Sequence, residues 1–330
     1  MQLPLEVREA IERRADEVSF ASLKREAEEM SNAYRAGAQP PRIATAARVA
    51  AYLVTRMPAT YAAARAVLRE THRLLGDRKM SSVLDVGAGS GAASLAALEE
   101  YPEATLTLAD RDRALLEAAK QWLPQARLLA EDVTRLLTIE AHDLVILAYS
   151  AGEIGVSSLA RLWQAARVAF VLIEPGTPGG FAFVRVVRSK LLAEGAHMIA
   201  PCPFAGICPM VDPNWCHFGA RVERSSLHRR IKGGMLGYED EKYSYVALAR
   251  EPAELVAARI IGRPRQIARR SPNQPKWIEL ETCTPDGLKT GRVTKRDRDR
   301  YRAARHADWG SPWDMMNGDD RPRTGLEHPL

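Results

Sequence analysis

The chain has 330 residues, of which 47 are lysine or arginine and 41 are aspartate or glutamate, so its formal net charge at pH 7 is +6. A chain of this length can bury a large core without disulfide staples and has room for one large or two typical domains. No stretch approaches the roughly 20 consecutive apolar residues that cross a bilayer, and the first residues mix acids with bases, unlike a secretory signal or transit peptide. We therefore expect a cytoplasmic protein with no membrane partner.

Residues 1–75 carry apolar side chains every third or fourth position, which predicts a helical N-terminal region with a kink or restart around Pro58. From residue 81 the pattern changes to short apolar, β-branched runs that alternate with helical stretches. These predicted strands begin at Ser82, Ala104, Ala126, Asp143 and Ala169. Strands that alternate with helices at this spacing predict a parallel sheet covered by helices on both faces, a doubly wound α/β domain.

We place this domain over residues 76–250, with a cysteine-rich insertion at 198–220 and a late strand within 239–250. Residues 251–330 are then a basic C-terminal extension with another strand candidate at 276–283. From Asp299 onward the chain is highly polar, apart from Trp309 and Trp313, and we predict a tail that docks on another surface.

The positive charge belongs to one segment. Residues 221–305 hold 21 basic and 11 acidic residues, whereas residues 1–220 are close to neutral. A general bias of the surface would explain this excess, but a basic segment on a neutral body more often binds a phosphate backbone. We expect an RNA partner and no DNA partner.

A glycine-rich turn follows the first predicted strand, where Gly87, Ala88, Gly89 and Gly91 lead into a helix. Glycine suits such a turn because the backbone needs φ values closed to other residues and a Cβ would block a ligand. In a doubly wound sheet this position binds nucleotide-type ligands. Gly87, Gly89 and Ala92 also match the dinucleotide-binding pattern, which is weak by itself.

Three acids favour S-adenosylmethionine over a dinucleotide. Asp85 lies beneath the turn, where it would organise the methionine ammonium but oppose a pyrophosphate. Asp110 ends the second strand, where a carboxylate accepts hydrogen bonds from ribose hydroxyls, and Asp132 ends the third strand, near the position of the adenine amino group. Helix capping would explain each acid singly.

No catalytic group is evident from the sequence. Tyr149, Ser150 and Glu153 follow the fourth strand, where a substrate-facing loop would lie, but no signature of amine methylation accompanies them. We do not expect Cys202 to be a nucleophile, and a single histidine such as His217 is more often structural than catalytic.

All four cysteines fall late in the chain, and three of them lie within 15 residues: Cys202, Cys208, Cys216 and Cys283. In a reducing cytoplasm, clustered cysteines are more often metal ligands than disulfides. Zinc sites usually pair cysteines two to four residues apart, and these wider spacings favour an iron–sulfur centre slightly over zinc. Unliganded thiols are the third alternative.

Several ordered motifs between about residues 40 and 310 resemble the methyltransferase-like family of small ribosomal subunit assembly factors. They are RMPATY at 56–61, VLDVGAGSG at 83–91, IEPGTP at 173–178, CPFAGICP from 202, WCHF from 215 and EDEKYSYV from 239. The resemblance implies a class I S-adenosylmethionine-dependent methyltransferase fold and a four-iron, four-sulfur cluster on the four cysteines. It also implies binding to small-subunit ribosomal RNA during assembly.

The resemblance does not settle catalysis. The first hypothesis is an enzyme that methylates small-subunit ribosomal RNA. The alternative is a non-catalytic assembly factor that keeps the methyltransferase fold, and a less favoured one is a small-molecule methyltransferase with a zinc site.

Overall fold

The computed structural model describes residues 1–35, 43, 45–136, 138–267, 276–314 and 321–322. The chain divides into two compact units, one of Met1–Glu174 with Ala220–Glu241 and the other of Pro175–Gly219 with Lys242–Leu330. Among the described residues, no helix is both long and apolar enough to cross a membrane.

The helices of the described chain are α1 (Leu5–Asp16), α2 (Phe20–Arg35), α3 (Ala46–Thr55), α4 (Met57–Leu75), α5 (Ala92–Glu100), α6 (Arg113–Ala119), α7 (Ala151–Ile154), α8 (Val156–Ala165), α9 (Pro178–Ala193), α10 (Ser226–Lys232) and α11 (Arg298–His306).

The strands are β1 (Ser82–Val86), β2 (Thr105–Ala109), β3 (Arg127–Leu129), β4 (His142–Ala148), β5 (Ala166–Pro175), β6 (His197–Ala200), β7 (Phe218–Glu223), β8 (Tyr238–Ala249), β9 (Arg259–Ile260), β10 (Arg265–Ile267), β11 (Trp277–Thr284), β12 (Gly287–Thr294) and β13 (Arg321–Pro322).

A parallel sheet forms the centre of the first unit, with the strand order β3-β2-β1-β4-β5. Its central strands read as nearly continuous apolar runs because both faces are covered, and Val83, Leu144 and Ile146 are fully buried. The order reverses at β1, so the chain passes to β2 on one side and β4 on the other. Ligands bind at this kind of switch point, beyond the carboxyl ends of the strands. The predicted doubly wound α/β fold is confirmed.

Helices α1 to α4 account for the described residues of the predicted helical N-terminal region. The predicted interruption falls at Arg56, which ends α3 and precedes α4, and Pro58 occupies the first turn of α4. Proline is tolerated there because the first backbone N–H groups of a helix have no partner within the helix.

The second unit contains α9, an antiparallel pair of β6 with β8, and a small antiparallel sheet. In that sheet β11 pairs with β9, β10 and β12. Alternate residues of β11 are buried, including Ile278 and Leu280, which pack with Val293 and Trp313. Cys283 therefore lies on the opposite face of the strand.

The described part of the predicted docking tail from Asp299 packs on the small sheet of the second unit. Residues 298–306 form α11, and Trp313 is buried in the core of the small sheet. The helix places Ala304 in this core and leaves its arginine-rich face exposed. It is therefore an amphipathic helix, but its many charged residues make the apolar face hard to recognise in the sequence. Residues 315–320 and 323–330 of the predicted tail lie outside the described residues.

Candidate cofactor cavity and cysteine cavity

The glycine turn is tied to the end of β2. The backbone N–H groups of Gly87 and Ala88 both donate to the carbonyl oxygen of Ala109, at 2.7 and 3.2 Å, and the N–H of Gly91 donates to the carbonyl of Ala88 at 2.8 Å. The turn therefore has a fixed shape at the carboxyl edge of the sheet, where the sequence predicts it.

Glycine is required at two positions of this turn. Gly87 has φ +69°, and a Cβ placed on it would lie 2.2 Å from the Cβ of Ser150. Gly91 has φ +74°, and a Cβ there would lie 2.8 Å from a methyl carbon of Leu123. Both positions combine a left-handed backbone with contacts too close for any side chain.

Asp85 lies beneath the turn, as predicted, but its side chain is directed at α5. It is 1% exposed, and its Oδ2 accepts hydrogen bonds from the backbone N–H and the hydroxyl of Ser94, at 3.0 and 2.7 Å. Its Oδ1 is buried and has no hydrogen-bond partner among the described residues. Burial raises the pKa of Asp85 to about 7 despite the hydrogen bonds from Ser94. A contact with a cofactor ammonium stays a prediction.

The other two predicted acids line a cavity at the carboxyl edge. Asp110 accepts hydrogen bonds from the N–H of Gly89 and of Asp112, both at 2.7 Å. Asp132 accepts two from Thr134, at 3.0 and 2.6 Å, and these hydrogen bonds lower its pKa. Both carboxylates are therefore held in place by neighbouring groups of the chain.

The cavity has a volume of about 420 Å³, which lies in the range of small-molecule sites, roughly 300–1,000 Å³. Residues from the glycine turn, the ends of β2, β3 and β4, and the N-terminal helices line it. They are Ile43, Tyr52, Arg56, Thr60, Gly87, Gly89, Ala109–Leu115, Glu131–Thr134, Ala148–Ser150 and Ile154. The carboxyl edge of the sheet thus forms a cavity in which carboxylates and arginines mix.

The N-terminal helices contribute three cavity residues that the sequence did not identify. Tyr52, Arg56 and Thr60 line the cavity from α3, the α3–α4 junction and α4. A Cβ on Gly89 would lie 3.3 Å from the Tyr52 hydroxyl, so α3 approaches the turn closely. The one sequence signal was the RMPATY motif, which carries no chemistry of its own.

The loop after β4 also reaches the cavity. Tyr149 adopts φ +61°, a left-handed conformation, while its N–H donates to the carbonyl of Ile173 at 2.8 Å. Such a backbone costs a non-glycine residue on the order of 1–3 kcal/mol and often marks a functional site. The hydroxyl of Ser150 donates to the carbonyl of Val86 at 2.7 Å. The side chain of Glu153 lies outside the described residues.

A second cavity, in the second unit, is lined by all four cysteines. Cys202, Cys208 and Cys216 come from the loop between β6 and β7, and Cys283 from β11. The structure therefore brings together four residues from distant parts of the chain, and none is in a disulfide. Phe181, Met210 and Ile261 form the apolar part of this site, with the thiols packed against them.

Burial raises the pKa of Cys202 and Cys283 and raises that of Cys216 well above its usual value. Neighbouring thiols add to the rise in the pKa of Cys216 because a second thiolate would repel the first. Metals bind the thiolate form, so a centre at this site must supply positive charge of its own.

Within the described parts of the chain, no group of three or more His, Cys, Asp or Glu side chains is arranged to hold a metal ion. A zinc ion would need its thiolates to converge at about 2.3 Å on one point. The structure therefore does not support the predicted metal-binding role of the cysteine-rich part of the chain. The assignment of an iron–sulfur cluster to the four cysteines stays a prediction.

His217 is part of an aromatic stack. Its ring lies nearly parallel to that of Trp215 at 5.1 Å and meets Trp309 edge-on at 4.6 Å. This packing agrees with the structural role expected for a single histidine.

The basic segment is divided between the two units and is partly neutralised. Within residues 220–241, Arg221 pairs with Asp240, and Arg224 and Lys232 pair with Glu239.

On α11, Arg298, Arg302 and Arg305 follow one another by one helical turn and are exposed. Residues at this spacing share one face of a helix, so α11 carries a basic stripe suited to phosphate groups.

The sequence model of one protein family, described as mitochondrial small ribosomal subunit Rsm22, matches residues 46–314. A search of curated proteins finds no match.

Three solved structures illustrate the resemblance of the fold. A proposed RNA methyltransferase from Pyrococcus horikoshii is 15% identical, with a TM-score of 0.40 over 57% of this chain and 83% of that one. A precorrin-6y C5,15-methyltransferase from Geobacter metallireducens is 18% identical, with a TM-score of 0.37 over 56% and 86%. A TehB-like methyltransferase from Corynebacterium glutamicum is 16% identical, with a TM-score of 0.37 over 70% and 98%. Likenesses this distant carry no argument about activity.

Proposed function

The chain belongs to the Rsm22 family, described for the mitochondrial small ribosomal subunit, and from that premise we propose that it is an S-adenosylmethionine-binding, methyltransferase-like protein that acts on small-subunit ribosomal RNA. The observation that carries the proposal is the cavity of about 420 Å³ at the carboxyl edge of the parallel sheet. It stands where the strand order reverses, which is where doubly wound sheets bind their ligands.

The residues of this cavity fit the cofactor. Gly87 and Gly89 line the cavity and carry no side chain, so a ligand can approach the backbone of the turn closely. Asp110 and Asp132 would accept hydrogen bonds from the ribose and the adenine amino group, and Arg56 has the charge to pair with a carboxylate. S-adenosylmethionine supplies an electrophilic methyl group when bound. The protein's own part is to bind the cofactor and orient it toward the loop that holds Tyr149.

The cysteine cavity supports the second part of the proposal, a four-iron, four-sulfur cluster on Cys202, Cys208, Cys216 and Cys283. The donor set is right, since four thiols and no carboxylate line the cavity. Thiols spread around a cavity suit a bulky centre better than a single zinc ion.

The exposed arginines of α11 support an RNA partner. Phosphate contacts by arginine give affinity that falls steeply with salt and carry no sequence specificity of their own. A small-molecule substrate would give these charges no role.

A non-catalytic assembly factor is the second candidate function. One observation favours it: both oxygens of Asp110 already accept backbone hydrogen bonds, so this acid also serves to hold the turn.

Two measurements test the proposal. Isothermal titration calorimetry of the purified chain should detect S-adenosylmethionine binding, and its absence in folded protein would contradict the cofactor assignment. Cross-linking in cells should map the chain to small-subunit ribosomal RNA. A comparison of ribosomal RNA methylation with and without the protein then separates the enzyme, which predicts a missing methyl group, from the assembly factor, which predicts unchanged methylation.

The cluster has its own test. After anaerobic reconstitution with iron and sulfide, the chain should hold about four iron atoms, and Cys283→Ser should lower this content markedly. Thr284→Ser, at the neighbouring position of β11, is the matched control and should bind iron like the original chain. A protein that takes up one zinc ion in preference to iron would contradict the cluster.

A further inference from the structure

Two buried arginines line the cysteine cavity and have no role in the function proposed so far. Arg188, on α9, is 4% exposed, and Arg259, on β9, is 1% exposed. The half-buried Arg185 of α9 also lines the cavity. A buried guanidinium group is costly unless a hydrogen-bonded counter-charge compensates it, so two of them in one apolar site require an explanation.

Arg188 is held by the cysteine loop. Its Nη2 donates to the carbonyls of Phe204 and Gly206, at 3.0 and 2.9 Å, and both carbonyls lie between Cys202 and Cys208. Its Nε is buried without a hydrogen-bond partner among the described residues. A donor and a positive charge are thus available beside Cys202.

Arg259 approaches from another direction. It is directly opposite Cys283 in the β9–β11 pair, and its Nε and Nη1 donate to the carbonyls of Pro201 and Gly310, both at 2.9 Å. One arginine therefore stands beside the first cysteine and the other beside the last.

The buried guanidinium groups would oppose the charge of such a centre. Four thiolates around an oxidised four-iron, four-sulfur core leave a net charge of about −2, and the positive charges of Arg188 and Arg259 offset it. The hydrophobic lining strengthens this attraction because it excludes water.

We propose that Arg188 and Arg259 are positioning residues that supply the counter-charge of the cysteine cavity. Their charges would raise the reduction potential of a cluster held there, so this inference rests on the proposed cluster. One-electron reduction adds a negative charge to the cluster without a proton, and the two fixed positive charges stabilise the reduced form. Hydrogen bonds and charge near the sulfurs are known determinants of such potentials.

The test is a redox titration of the reconstituted full chain with dithionite as reductant. Arg188→Gln should shift the midpoint potential to a lower value, and Arg188→Lys, which keeps the charge, should recover most of the shift. Lys190→Gln is the matched control. Lys190 is an exposed cation on the same helix, pairs with Glu194 at 3.2 Å and does not line the cavity. Equal potentials in Arg188→Gln and the original chain, or an equal shift in Lys190→Gln, would overturn the proposal.

A second measurement compares the same two chains by vibrational spectroscopy. Resonance Raman spectra in H₂O and D₂O should show a smaller isotope shift of the iron–sulfur stretching bands in Arg188→Gln than in the original chain, because the buried Nε–H of Arg188 would donate to sulfur. Equal isotope shifts in the two chains would also overturn the inference. Failure to take up any cluster would instead contradict the proposed function, so the two failures are distinguishable.

Discussion

Arg259 and Cys283 are directly opposed residues in the antiparallel pair of β9 with β11, and both line the cysteine cavity. Arg259 also donates to the carbonyls of Pro201 and Gly310. The bond to Pro201 links β9, which is paired with the strand of Cys283, to the residue that precedes Cys202. These hydrogen bonds of Arg259 do not require that the cavity hold a cluster.

Arg259→Lys tests how much these hydrogen bonds stabilise the chain. A lysine keeps the charge but cannot reach both carbonyls with a single ammonium group. Because each hydrogen bond to a charged group contributes about 1.5–3 kcal/mol, we expect the free energy of unfolding to fall by about 2–3 kcal/mol. Urea denaturation measures this change in the free energy of unfolding. Arg265→Lys, at an exposed position of β10, should change stability by less than about 0.5 kcal/mol, and an equal loss in both variants would contradict this role.

Asp85 predicts a dependence of stability on pH. Its pKa rises from 3.8 to about 7 on folding, so the folded chain favours the protonated acid. Its contribution to stability is fully present below about pH 4 and is lost as pH rises through about 7. Between pH 5 and 8 the original chain should lose about 3 kcal/mol more than Asp85→Asn.

Chemical denaturation at both pH values measures the difference. Asp132→Asn is the control for this experiment, because the pKa of Asp132 is lowered and its titration lies below that window. Parallel pH profiles of the original chain and Asp85→Asn would show that Asp85 is already ionised in the folded protein.

Gly87→Ala should disrupt the cofactor cavity. The added Cβ would lie 2.2 Å from that of Ser150 and would stand on a left-handed backbone. We expect at least a roughly tenfold loss of S-adenosylmethionine affinity and a destabilisation on the order of 1–3 kcal/mol. Calorimetry and urea denaturation measure the two effects.

Gly152→Ala is the matched control for that substitution. Gly152 lies in α7, has no positive φ, and has open space around a Cβ. This variant should bind the cofactor normally, and an equal loss of affinity in both variants would show that the loss does not come from the turn.

The arginine face of α11 predicts a salt effect on RNA binding. The double variant Arg302→Gln, Arg305→Gln should weaken binding and reduce the slope of log affinity against log salt by about 0.7–0.9 for each phosphate that is no longer neutralised. Filter binding to small-subunit ribosomal RNA at several salt concentrations measures the slope. Arg127→Gln, Arg167→Gln removes the same charge from exposed positions on β3 and β5, and an equal change of slope there would refute a specific role for α11.

The sequence predicts the sheet and its cofactor edge well because the signals are local. A strand buried on both faces is a short apolar run, and the glycine turn and Asp110 directly follow the buried strands β1 and β2. Asp132 comes three residues after the short β3. In a parallel sheet the carboxyl ends meet at one edge, so local order implies proximity. The direction of the Asp85 side chain could not be predicted from the neighbouring sequence, because it depends on where α5 packs.

The sequence by itself determined the parallel strands, the glycine turn, the acids that follow β2 and β3, and the presence of four cysteines that could share one site. Only the tertiary structure decided that these cysteines surround one cavity, that Arg188 and Arg259 lie among them, and that Tyr52 and Arg56 line the cofactor cavity. These relationships join segments far apart in the chain, through pairings such as β9 with β11. Residue periodicity reports which face of an element is buried, but it does not report which distant element buries it.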